Sequence, residues 1–146
     1  MLLISHRGNL IGPNLKMENS EAYILTALEK GFDVEVDVWK DAGNDIYLGH
    51  DAPTYKINLD FLVYHKDKLW IHCKNLLALD YMLTMDGFNY FWHQTDDYTL
   101  TSKGFMWTYP NKPVTEKNVI VIFGRVAKEN LPNCFGICSD YVSEYK

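Results

Sequence analysis

Cysteine is scarce in this chain of 146 residues: Cys73, Cys134 and Cys138 form an odd set at no zinc or redox spacing. That rules against a disulfide framework, and a reducing, cytoplasmic compartment is expected. Long apolar runs are missing too. No run approaches the roughly 20 residues needed to cross a bilayer, so no membrane span is expected. The start lacks a basic n-region, and Leu2-Leu3-Ile4 is too short for an h-region, so no cleaved leader is expected. Positive charge is in deficit, with 14 Lys and Arg against 19 Asp and Glu and a net charge of −5. Sequence-independent nucleic-acid binding, which depends on cationic neutralisation of phosphates, is therefore not expected. Internal repeats and low-complexity linkers are absent. What remains is 47% apolar and 23% charged, enough for a packed core in one domain over residues 1–146.

Hydrophobic patterning alternates between strand and helix. Leu2 to His6 reads as a buried strand, and Gly12-Pro13-Asn14 as a turn. Glu18 to Lys30 reads as a helix capped by Asn19 or Ser20 and stopped at Gly31. Phe32 to Lys40 alternates strictly, with Val34, Val36 and Val38 on one face and Glu35 and Asp37 on the other. Residues 45–49 and 68–74 are extended, residues 58–66 and 76–85 helical, and strands recur over 88–93, 104–108, 119–123 and 135–138. This order predicts an α/β fold, a compact, irregular TIM-type (β/α) barrel. At about 250 residues for a typical eightfold barrel, several outer helices must be missing. The segments 94–104 and 110–118 are too short and polar to hold them. Tyr90, Trp92, Phe105, Trp107, Val119 and Val121 are then expected to face outward. Exposed apolar area of that kind seeks a partner, so a homodimer is expected, the alternative being a barrel that covers itself with aromatic loops.

The chemistry-bearing residues cluster early. Glu35 and Asp37, two residues apart on a strand, point the same way; their mutual repulsion is relieved by a cation, and carboxylate oxygens suit hard divalent ions. Alone, such a pair also reads as a solvated face. It gains weight beside His6 and Arg7 at the end of the first strand and Gly49-His50-Asp51 after the next extended segment. Two imidazoles can serve as acid and base. Arg7 suits bidentate contact with a phosphate, or a salt bridge to Glu18 or Glu35.

The order Ser5-His6-Arg7-Gly8, Glu18-Asn19, Glu35-Val36-Asp37 and Gly49-His50-Asp51 resembles the glycerophosphodiester phosphodiesterase family, within the phosphatidylinositol-phospholipase-C-like phosphodiesterases. The resemblance returns at Trp107-Thr108 and at Gly136-Ile137-Cys138-Ser139-Asp140-Tyr141. It implies metal-dependent hydrolysis of a small phosphodiester, with catalytic His6 and His50, a metal pair Glu35 and Asp37, and Glu18 as a further site residue. Arg7 and Lys74 would neutralise phosphoryl charge. Where the family strand reads Glu-x-Lys, this chain reads His72-Cys73-Lys74. The family metal is Mg²⁺ or Ca²⁺; an imidazole at residue 72 suits Mn²⁺ or Zn²⁺ better, or weakens the site. His93 and Trp107 are candidate substrate contacts, with core packing as the alternative for each; Trp39 and Tyr109 stand alike. A non-catalytic phospho-ligand binding domain derived from such an enzyme is the alternative function.

Overall fold

A computed structural model describes all residues, Met1 to Lys146. The ten strands are β1 (Leu2–His6), β2 (Asp33–Lys40), β3 (Ile46–Leu48), β4 (Tyr55–Ile57), β5 (Leu69–Cys73), β6 (Asn89–Phe91), β7 (Tyr98–Leu100), β8 (Met106–Thr108), β9 (Asn118–Ile122) and β10 (Gly136–Ser139). Three α-helices accompany them: α1 (Glu21–Glu29), α2 (Leu59–His65) and α3 (Leu76–Leu83).

All ten strands join one sheet. Its parallel part runs β6-β5-β2-β1-β10-β9-β8. The sheet curls, because strands far apart in that order meet through their inward side chains. Phe91 of β6 stacks on Trp107 of β8 with centroids 4.5 Å apart, and Trp70 of β5 lies 5.9 Å from Trp107. No ladder joins β6 to β8. The antiparallel β7–β8 hairpin spans that gap instead: Ser102 donates its backbone N–H to Tyr90 O at 2.8 Å, and Thr99 Oγ1 donates to Trp92 O at 2.9 Å. The α/β class and curled parallel sheet match expectation, and, as expected of segments 94–104 and 110–118, no α-helix forms there. After β6, β8 and β9 the chain returns through loops, with one 3-10 turn at Lys128–Asn130.

Parity along each strand divides two cores. Val34, Val36 and Val38 face α1 and α3 in the larger core, with Ile24, Ala27, Ala78 and Met82. Inside the curl, Ile4, Trp70, Phe91, Trp107, Val119, Val121 and Cys138 pack together. This corrects the expectation of outward residues: Trp107, Val119 and Val121 point inward and are buried, while Tyr90, Trp92 and Phe105 are half-buried. On β9 it is Ile120 and Ile122 that face outward. With Ile137 they are covered by Cys134, Tyr145, Val114, Val126 and Leu131, so loops and the C-terminal turn take the place of helices. Of the six residues from which a homodimer was argued, Trp107, Val119 and Val121 thus lie inside the protein.

Candidate metal and phosphoryl site

In a parallel sheet the strand C-termini share one rim, and register decides which side chains meet there. His6 of β1 pairs with Glu35 of β2, and Asp37 of β2 pairs with His72 of β5. All four face the inside of the curl. Glu35, Asp37 and His72 each offer one ligand atom within 4.8 Å of the others.

Both carboxylates are buried, Glu35 at 2% exposure and Asp37 at 0%. Such burial is costly unless cations compensate. Around Asp37, Arg7 Nε lies 3.0 Å from Oδ2, and Lys74 Nζ and His72 Nδ1 lie 3.4 and 3.2 Å from Oδ1. Burial pushes the Asp37 carboxyl up, but His72, Arg7 and Lys74 outweigh it and hold the group well below the usual carboxylate range. His72 shows the reciprocal effect: burial opposes its charge, yet Asp37 and Glu35 raise its pKa to about 9.

The two ring nitrogens of His72 have separate partners. Nε2 lies 2.7 Å from His93 O, and since a carbonyl only accepts, Nε2 carries a hydrogen. Nδ1 therefore faces both carboxylates, 3.6 Å from Glu35 Oε1. There it holds either a proton or a lone pair available to a metal. Glu35 Oε2 and Asp37 Oδ1 are buried and neither meets a donor in good hydrogen-bond geometry, although His72 and Lys74 lie within ion-pair reach of Asp37 Oδ1. Two orphaned carboxylate oxygens beside an imidazole nitrogen fit a divalent cation, and the mixed O/N donor set suits Mn²⁺ or Zn²⁺ as well as Mg²⁺.

His6 is 8% exposed, with Nδ1 2.8 Å from Asp140 Oδ1 and Nε2 3.9 Å from Glu35 Oε2. Burial raises the Asp140 pKa, but His6, Asn9 and Arg7 bring it below its ordinary value. An ionised Asp140 accepts from Nδ1–H and leaves the Nε2 lone pair turned toward the site. Asn9, fully buried, donates its amide hydrogens to Asp140 Oδ1 and Glu18 Oε1, 2.8 and 2.9 Å away. Glu18 Oε2 in turn lies 3.2 Å from Arg7 Nη1.

The backbone here is tightly prescribed. Arg7 sits at φ 56°, held by Arg7 N–H to Glu35 O and Asn19 N–H to Arg7 O. Such a conformation costs on the order of 1–3 kcal/mol and persists only where surroundings enforce it. The next residue must be glycine: at Gly8, φ 90°, a Cβ would stand 2.8 Å from the Tyr23 ring. Glu18 and Asn19 precede α1 rather than opening it, because Asn19 turns left-handed at φ 64°. That turn lets Asn19 Nδ2 donate to Asp37 Oδ2 at 2.9 Å while Asn19 Oδ1 accepts from Asp37 N–H at 3.0 Å.

The other candidates lie farther out. The side chain of His50 is 42% exposed, its Nδ1 2.7 Å from Asp51 Oδ1. With Arg7, Leu15, Glu18 and Tyr55 it lines a cleft of about 260 Å³. The His93 imidazole is turned away, with Nε2–H donated to Asp96 O at 2.6 Å; its backbone carbonyl is what serves the site. Trp107, 3% exposed, belongs to the interior and does not line the cleft. Asp140, Asn9 and Asn19 were not read from sequence as site residues. Asp140 stood in the closing segment and Asn19 in the Glu-Asn pair, whereas nothing local marks Asn9.

No family model and no curated protein sequence matches the chain. Its fold is similar to the crystal structure of a glycerophosphodiester phosphodiesterase from Thermotoga maritima. The likeness covers 99% of this chain and 97% of that one, at a TM-score of 0.62 and 13% identity. At that identity it establishes the fold.

Proposed function

We propose that the protein is a metal-dependent phosphodiesterase acting on a small, glycerophosphodiester-like substrate, and a compact relative of the enzyme whose fold it shares. The observation that carries this is the pair of buried, unsatisfied oxygens on Glu35 and Asp37, facing His72 Nδ1 with Arg7 and Lys74 alongside. Glu35, Asp37 and His72 would hold the cation, which when bound supplies positive charge to a phosphoryl oxygen and acidity to a hydroxyl.

The chain's own residues do the rest. Arg7 and Lys74 bind the anionic oxygens of the diester and stabilise charge that grows on them in the transition state. His6 Nε2 accepts the proton of the attacking hydroxyl, while Asp140 keeps Nδ1 protonated and stabilises the imidazolium that forms. His50, at the open mouth, gives the proton of its Nε2–H to the departing alkoxide while Asp51 orients its ring, and exchange with bulk water resets His6 and His50 before the next turnover. Glu18 and Asn9 fix Arg7 and Asp140 on either side. His6→Ala and His50→Ala are each expected to lower turnover of a diester by about 10²–10⁴-fold while leaving the melting temperature within a few degrees; unchanged turnover in both sinks the mechanism.

One observation favours a binding-only alternative. Arg7, Lys74 and His72 surround Asp37 with groups that can carry positive charge, and His50 stands exposed. A phospho-ligand pocket without chemistry would bind inorganic phosphate and turn over no diester.

A further inference from the structure

Trp39 lies on β2 two residues beyond Asp37, so strand alternation turns its indole toward the rim that carries the site. Its Nε1–H donates to Gly49 O at 2.6 Å. The carbonyl of Gly49 belongs to the peptide unit that joins residues 49 and 50, so the indole grips the plane from which His50 departs. The amide of Gly49 is held as well, donating to Asp37 O at 3.1 Å. Both hydrogen-bonding groups of Gly49 are thereby tied to β2, one of them to the backbone of a candidate metal ligand.

Without such a grip this peptide would have little to keep it in place. Gly49 sits at φ 152°, where a Cβ would come 2.1 Å from Ala52 O and 2.7 Å from Thr54 Oγ1. The position therefore requires glycine, and glycine allows the peptide to rotate with little steric resistance. Downstream, Thr54 N–H closes the turn on Leu48 O at 3.0 Å, and Asp51 takes the His50 ring at Nδ1, leaving Nε2 unpaired. None of these contacts sets the direction in which His50 leaves the strand.

We propose that Trp39 is a positioning residue for His50, its indole N–H holding the Gly49–His50 peptide so that the imidazole stays over the cleft lined by Arg7 and Glu18. This rests on the role proposed above for His50. Trp39 touches no reacting atom in this scheme; it acts through the peptide it holds.

The test is a double-mutant cycle with Trp39→Phe, which keeps an aromatic ring and removes the donor, and His50→Ala. With Mn²⁺ present and a diester bearing an alkyl leaving group, Trp39→Phe is expected to lower kcat about 100-fold, the scale of a displaced catalytic group. KM and Mn²⁺ affinity should stay within about threefold. The double variant should be no slower than His50→Ala alone, because an unpositioned His50 and a missing one are equivalent. Additive losses would overturn the proposal, as would unchanged kcat in Trp39→Phe. NMR of the His50 imidazole gives a second readout that needs no turnover. One narrow environment in the native protein and exchange-broadened signals in Trp39→Phe support the proposal; identical spectra overturn it. Should the native protein cleave no diester, the catalytic scheme fails while this NMR comparison still decides whether Trp39 places His50.

Discussion

Raising the pH from about 6 to about 8 is expected to tighten Mn²⁺ binding by roughly two orders of magnitude. The expectation follows from the two sides of the His72 ring. Nε2–H is committed to the carbonyl of His93, 2.7 Å away, so only Nδ1 is free to meet a cation beside Glu35 and Asp37. That nitrogen carries a proton until the pH approaches about 9, because the two carboxylates outweigh the cost of burying its charge. A metal must displace the proton. Each pH unit below 9 then costs a factor of ten, about 1.4 kcal/mol, and two units amount to about 2.7 kcal/mol. Isothermal titration calorimetry in buffers of different ionisation enthalpy reads both quantities, the affinity and the release of about one proton per ion bound. His72→Gln, which has no nitrogen that titrates, is expected to bind more weakly and with little dependence on pH. His72→Glu, a third carboxylate, should likewise flatten the profile and shift preference toward Mg²⁺. Affinity in the native protein that is flat over this range, without proton release, would refute the assignment of Nδ1 as a ligand.

Two more outcomes follow from the same geometry. Asp140→Asn removes the charged acceptor of His6 Nδ1–H, so kcat should fall by about 10²–10⁴ while Mn²⁺ affinity is nearly unchanged; a loss below threefold in steady-state kinetics would remove Asp140 from the mechanism. Thermal melts of the metal-free protein should show an alkaline limb. The pKa of His72 is raised from 6.5 to about 9, so its stabilisation is complete below about pH 6.5 and is lost as pH rises toward 9, on the order of 3 kcal/mol. Asp37 and Asp140, both depressed, act in the opposite range and lose their stabilisation as pH falls below about 4. His72→Gln should abolish the alkaline limb, and its persistence in that variant would place the titrating group elsewhere.

The strands that carry the site were legible because their patterns are local. Alternation in β2 fixes Glu35 and Asp37 on one face, and Gly31, φ 87°, ends α1 where composition suggested. The start of α1 was less legible. Asn19 or Ser20 reads as the cap from sequence; Ser20 takes that position, and two hydrogen bonds to Asp37 draw Asn19 into a left-handed turn ahead of it. Such a preference arises from a residue 18 positions away and leaves no local mark. The same limit explains Asn9, whose partners Glu18 and Asp140 are assembled only by the fold.

The second half was harder for a different reason. Short strands such as β8 and β9 lack polar alternation, so inward and outward residues cannot be told apart by period. Both faces of β9 are buried, one inside the curl and one beneath loops, and all five residues are apolar or uncharged. A continuous apolar strand signals burial on both sides, as β9 shows. The antiparallel β7, inserted where a parallel strand would close the sheet, is three residues long and carries no distinguishing pattern.

The most direct test measures hydrolysis of bis-p-nitrophenyl phosphate by protein stripped of metal and then supplied with Mn²⁺, Mg²⁺ or Ca²⁺, beside Glu35→Gln/Asp37→Asn treated in the same way. Turnover that appears with an added ion in the native protein and is lost in the double variant is the predicted result. Turnover that ignores both the ions and the carboxylates, or none under any condition, would contradict a metal-dependent phosphodiesterase built on Glu35, Asp37 and His72.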